Sequence, residues 1–260
     1  MSPAALSGVF ALAVLQGALV AMPDAGAFGG LTRARSPAWA VLLPGMIVLG
    51  TFGVLELPAT ALGLVVLSAL ATPLLAAVSV LAVVRVPRAV RRRRAALLGG
   101  VAALTALTVA AGGLVAQLAQ DVITGLGCLC LGVVIVRLIP RRCLPASVLA
   151  LCVVDVVLLA LGPGVSAYGA MTHATDGFHG PSFDHAAVGM ITLDYPDLVL
   201  TAMLGSVLAH DRAGQRRAAV LLATVAGLYG LLVAFIDVIP ATVPITLSYL
   251  LVRRRRAPQA

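Results

Sequence analysis

Apolar runs of about 18 or more residues, punctuated by Pro, Gly and Arg, recur along the whole chain. Coiled at ~1.5 Å per residue, each is long enough to cross ~30 Å of hydrocarbon. The runs predict nine candidate helices, at about 4–22, 38–55, 59–84, 95–117, 122–139, 144–162, 187–209, 218–236 and 238–252. The expected fold is all-α: a polytopic membrane helical bundle of nine transmembrane helices. Its five-helix N-terminal part covers 1–143. Its four-helix part covers 144–260, carries an external loop at 163–186, and belongs to the same single membrane domain.

The positions of arginine test that count. All 18 basic residues are Arg. The connections at 23–37, 85–94, 140–142 and 210–217 and the tail from Arg253 hold every one except Arg137, which lies near the same face. Nine spans put these connections on one side, and the others, including 163–186, contain no Arg. The positive-inside rule then predicts an amino terminus outside and a carboxyl terminus in the cytoplasm. The first span has no basic residue before its apolar core, which is longer than a usual signal-peptide core. A retained helix is therefore expected in spite of the small residues Ala25-Gly26-Ala27.

Composition agrees with this picture. The chain is 61% hydrophobic and 11% charged with a mean hydropathy of +1.08, whereas soluble domains carry about 25% charged residues. No room remains for a sizeable soluble domain. The net charge of +8 comes from Arg segments between spans, so a role in topology against an anionic leaflet is expected, with the lipid bilayer as partner and no nucleic acid. Exclusive use of Arg, with abundant Ala, Val and Leu, is the bias a GC-rich bacterial genome would produce, and the expected location is a bacterial inner membrane. Cys128, Cys130, Cys143 and Cys152 lack zinc-site spacing, and neither metal nor cofactor is expected. Gly99, Gly100, Gly112 and Gly113 in the fourth span, and Gly125, Gly127 and Gly132 in the fifth, suit close helix packing.

Two carboxylates interrupt the apolar runs. Asp155 lies about seven residues before the outer end of the sixth span, at Gly162, and Asp197 about ten residues after the outer start of the seventh. At ~1.5 Å per residue both stand roughly 10–15 Å from the same face, so they can meet. A charge at that depth is costly and usually faces a bundle interior or a wet cavity. Two carboxylates in one low-dielectric site share a proton: the anionic member can deprotonate water for attack on a peptide carbonyl, and the protonated member can polarise that carbonyl and protonate the leaving nitrogen. Taken alone, the pair suits a proton or cation pathway equally well.

The surrounding residues carry a resemblance. Asp197, followed by Leu198-Val199-Leu200, by Ala202-Met203-Leu204-Gly205-Ser206 and by His210-Asp211, resembles the seventh helix of the presenilin and signal peptide peptidase intramembrane aspartyl proteases. Ala226-Gly227-Leu228-Tyr229 resembles the Gly-Leu step of that family's eighth helix, and Pro240-Ala241-Thr242 its Pro-Ala-Leu motif. The resemblance covers about residues 144–252; the first five spans agree only in number. It implies a nine-helix bundle with Asp155 and Asp197 as catalytic residues and Pro240, Ala241 and Thr242 as a substrate-binding strand or loop. It also implies transmembrane helices or leftover signal peptides as substrates, no cofactor, and the orientation of the signal peptide peptidase branch. Three motifs depart from the pattern: Val154 replaces Tyr, Asp194-Tyr195-Pro196-Asp197 replaces Gly-x-Gly-Asp, and Thr242 replaces Leu. Pro196 breaks the helix where the family has a glycine. Asp194 is a third acid, either a modulator of the pair or an ordinary acid at a helix start.

The remaining polar residues are read as structural. His173, His179 and His185, with Asp176 and Asp184, match no metal-site spacing and read as a solvated loop, with Phe178 and Phe183 dipping into lipid. Glu56, Asp121 and Asp237 read as span-end residues. Pro240 and Pro244 predict a broken or re-entrant start to the last helix. Two rival functions stay open: a catalytically silent binder of membrane helices, and a proton- or cation-coupled transporter, which the lack of internal repeats disfavours.

Overall fold

The computed structural model describes residues 3–84, 94–178, 180–189, 191–235 and 239–254. The helices are α1 (Pro3–Ala21), α2 (Ala38–Glu56), α3 (Pro58–Val78, continued by a π turn over Ser79–Val83), α4 (Arg94–Ala110), α5 (Gly113–Leu138), α6 (Leu144–Leu161), α7 (Pro163–Gly177), α8 (Tyr195–Leu208), α9 (Arg212–Gly230) and α10 (Thr242–Arg254). Between α7 and α8 lies a hairpin of β1 (His185–Val188) and β2 (Ile191–Asp194), antiparallel, with Ala187 opposite Thr192.

Five helices are long and apolar enough to cross a membrane: Ala38–Glu56, Ala59–Val83, Gly113–Leu138, Leu144–Leu161 and Arg212–Val233. The other four expected spans are represented by shorter apolar helices, at Ala5–Ala21, Ala95–Ala110, Tyr195–Leu208 and Thr242–Val252. Outward faces are hydrophobic: Val41, Leu49, Leu74 and Val109 are 68–75% exposed. Side chains that water would reject on that scale mark a chain whose solvent is lipid.

The interior is organised around α5, which packs on α3, α4, α8 and β1, while α1 packs on α8 and α9. One core joins Leu12 and Leu19 of α1 to Leu129 and Val133 of α5 and to Leu198 and Met203 of α8, so residues of both halves of the chain share it. Glycine sets the closest approaches. A Cβ added to Gly132 would lie 2.7 Å from the Val199 carbonyl oxygen of α8, and one added to Gly205 would lie 2.5 Å from the Val20 carbonyl oxygen of α1. Helix α8 is thus clamped from two sides. Gly99, Gly100, Gly112 and Gly113, by contrast, meet nothing within 4 Å. Gly112 and Gly113 are not packing residues of a fourth span. They form the turn between α4 and α5, where Gly113 has φ +62°.

One end of the bundle is tied by arginine and glutamine. Arg212 Nη1 donates to the Ala21 carbonyl (2.6 Å), and Gln215 Nε2 donates to the carbonyls of Pro23 and Gly205 (both 3.2 Å). These bonds satisfy carbonyls left open at the C-terminal ends of α1 and α8. Arg137 Nη2 donates to the Ala25 carbonyl, and Ser36 N–H to that of Leu138 (3.0 Å). The Arg-bearing connections at 23–37, 140–142 and 210–217 therefore gather at one end, as the alternation of loops requires. Of the other expected Arg segments, 85–93 and 255–256 lie outside the described residues, as does Asp237.

The expected loop at 163–186 is structured. Its first part is α7, packed against α2 and α3. Phe183 does not dip into lipid: it is fully buried against Ala76, Val101 and Ile123. The eighth span begins earlier than its apolar run, because Asp211 accepts the Gly214 N–H (3.0 Å) and caps a helix that already contains Arg212, Arg216 and Arg217.

Candidate functional site

Helix α6 carries Asp155, half-buried, and ends at Gly162, whose φ of +97° suits a glycine stop. Its carboxylate is held by the last helix: Thr242 Oγ1 donates to Asp155 Oδ2 at 2.6 Å. Thr242 is the first residue of α10, where N–H groups lack intrahelical partners, so Asp155, from another helix, stands at the start of α10. The chain ahead of it, Ile239 to Ala241, is not helical, as Pro240 dictates.

Asp197 stands elsewhere than expected. Instead of lying ten residues inside a helix, it is in the first turn of α8, three residues after the N-cap Asp194, with Pro196 between them pre-set for a helix start. Its carboxyl shares the helix start with Asp194, whose exposed side chain caps nothing. Helix α8 has 14 residues, about 21 Å and short of ~30 Å of hydrocarbon, and the hairpin precedes it in the chain.

The carboxyl groups of Asp155, Asp194 and Asp197 lie within electrostatic reach of one another, and Tyr229 of α9 within reach of Asp155. Among the described residues no hydrogen bond joins Asp155 to Asp197; Asp155 is bonded to the Thr242 hydroxyl instead. Of the three residues expected to hold substrate, Ala241 lines a small open cavity of about 80 Å³ and Thr242 is occupied by Asp155. The cavity also touches Gln16 of α1, Thr192 of β2 and Tyr229. Gln16 is 2% exposed, and its Nε2 has no hydrogen-bond partner among the described residues.

The hairpin has two unlike edges. Asp121 Oδ1 accepts the Ala187 N–H at 2.8 Å, closing the outer edge of β1. Because Ala187 points outward, its partner Thr192 directs its own N–H and C=O away from β1, on the free side of β2. Asp121 is therefore no span-end residue. It is 5% exposed and two turns inside α5. The signal for that was the Gly112-Gly113 turn. Gln16, a lone amide in an apolar run, was the signal for the cavity wall.

His173 and Asp176 are exposed on α7, and His179 lies outside the described residues. No group of three metal-ligating side chains forms among the described residues. Asp184 and His185 instead form an ion pair, Oδ1 to Nδ1 at 3.1 Å. The Asp184 hydrogen bond raises His185 above its usual 6.5 against the pull of burial, helped by the charges of Asp184, Asp194 and Asp121. Burial works against charge on Asp184, but the His185 hydrogen bond and charge outweigh it and hold the carboxyl below its usual 3.8. A raised histidine stabilises the fold below its unfolded pKa, and that stability is lost as pH rises through the folded value. A lowered carboxyl does the opposite, losing stability as pH falls through its folded value. Thermal unfolding from about pH 5 to about pH 9 is thus expected to show a wild-type advantage over His185→Asn that fades with rising pH, by less than about 1 kcal/mol because the pair is partly exposed. A pH-independent difference would contradict the pair's titration.

Comparisons with protein-family models, with curated proteins and with solved structures find no match to this chain.

Proposed function

We propose that this protein is an intramembrane aspartyl protease of the presenilin and signal peptide peptidase type, hydrolysing peptide bonds in transmembrane helices or leftover signal peptides. The reading rests on one observation above all. Asp155 and Asp197, from separate helices, fall within electrostatic reach of each other beside the loop at Pro240 to Thr242. One carboxylate takes a proton from water as it attacks the scissile carbonyl; the other, protonated, polarises that carbonyl and passes its proton to the departing nitrogen. A helix must unwind to offer its carbonyl, and the free side of β2 supplies N–H and C=O groups to an unwound strand.

The test is hydrolysis of a single-span substrate by the purified protein in water enriched in oxygen-18. One labelled oxygen in the new carboxyl terminus is expected, with inhibition by a peptide bearing a tetrahedral hydroxyl at the scissile position. No cleavage of a wide substrate panel would favour the second reading, a silent binder of membrane helices. The observation favouring that reading is the clasp of Thr242 on Asp155, which occupies the carboxyl with a structural task.

The proposed setting is the bacterial inner membrane, amino terminus outside and carboxyl terminus in the cytoplasm. Reporter fusions at Ala260 and within 163–186 are expected on opposite sides. The same side for both would overturn the orientation.

A further inference from the structure

Three guanidinium groups surround the C-terminal end of α5 without a carboxylate among them. Arg137, in its last turn, is 8% exposed. It donates from Nη2 to the Ala25 carbonyl, while its Nε is buried with no partner among the described residues. Arg35 donates from Nε to the Arg137 carbonyl at 3.1 Å. Arg35 and Arg141 both repel Arg137 electrostatically, and both are exposed. Asp24, one residue before the Ala25 carbonyl, forms no ion pair with any of the three among the described residues.

Like charges gathered this closely oppose one another unless an anion stands between them. The partial negative charge at the end of α5 offsets part of that repulsion but falls off within a turn. Position narrows the anion. The cluster sits where the other Arg-bearing connections gather, and immediately beyond it α2 turns an apolar face outward through Trp39, Val41, Leu42 and Met46. A phosphate bound at Arg35 and Arg141 would have acyl chains along α2 and an indole at headgroup level.

We propose that this end of α5 is a binding site for a phosphate group, that of an anionic phospholipid, held by Arg35 and Arg141 above the buried Arg137. The site fastens the connection at 23–37 to the turn at 140–142. It is independent of any reaction at Asp155 and Asp197.

The test uses the full chain in nanodiscs of zwitterionic lipid titrated with phosphatidylglycerol, read by native mass spectrometry and thermal unfolding. Arg35→Gln with Arg141→Gln is expected to weaken retention of the anionic lipid about thirtyfold, whereas Arg216→Gln with Arg217→Gln, the same loss of charge at the same end, changes it less than about twofold. Arg141→Gln alone, which leaves the Arg35 bond to Arg137 in place, keeps the test readable if the double variant misfolds, with a loss of about fivefold expected. Equal losses in both pairs would overturn a local site in favour of a general field. Inorganic phosphate that competes at equal concentration and stabilises the protein by itself would overturn the lipid as ligand.

Discussion

Asp155→Asn and Asp197→Asn are each expected to abolish cleavage of a transmembrane substrate, by more than about a hundredfold, with folded protein retained. Asp194→Asn is expected to leave partial activity. The amide is a better probe than alanine here. Asp155 accepts a hydrogen bond from Thr242. Alanine would remove that bond along with the chemistry, at a cost of ~1 kcal/mol, whereas an amide oxygen still accepts. What it cannot do is take a proton from water. Asp194 differs because its side chain caps nothing and is exposed, so its charge tunes the neighbouring pair rather than forming it. Cleavage assays with purified variants at matched levels decide the matter. Full activity in Asp197→Asn with loss in Asp194→Asn would assign the pair to Asp155 and Asp194.

Gly205→Val is expected to cost about 3 kcal/mol or more, above the usual range for overpacking, because the added atoms meet backbone. The Val20 carbonyl oxygen, Cα and carbonyl carbon lie 2.5, 2.7 and 2.9 Å from the new Cβ. Helix α1 must then move off α8, breaking the Gln215 bonds that tie both ends together. Gly99→Ala is the control. It meets nothing within 4 Å, and replacing a helical glycine gains up to ~1 kcal/mol. Unfolding temperatures in detergent should move in opposite directions; a Gly205→Val protein as stable as wild type would refute the clamp.

The positions of most helices were legible in the chain because apolar length and arginine punctuation are read one segment at a time. The pairing of Asp155 with Thr242 was not legible, since it depends on two segments 87 positions apart meeting. Asp197 and the hairpin were missed for a related reason. The run at 186–209 is apolar apart from Asp194 and Asp197 and a few hydroxyls, and apolarity does not distinguish a buried strand from a buried helix when both are enclosed by protein. Pro196 was the local clue, and it marks the first turn of α8. Asp121 was misplaced because its helix starts at Gly113 rather than at about 122, with Gly112 and Gly113 forming a turn rather than a packing face. Phe183 was sent to lipid because nothing local announces the pocket of Ala76, Val101 and Ile123 that receives it.

The shortness of α8 bears on how the chain is made. Helices such as α2 and α3, apolar on every side, can leave the translocation machinery singly and be solvated by lipid at once. Helix α8, of 14 residues and buried from Leu198 to Ser206, gains its stability from α1 and α5 rather than from lipid. Both precede it on the growing polypeptide, so its docking surface exists before it is synthesised. Biogenesis thus has a built-in order in which α8, with Asp197 in its first turn, docks only after the N-terminal helices have assembled.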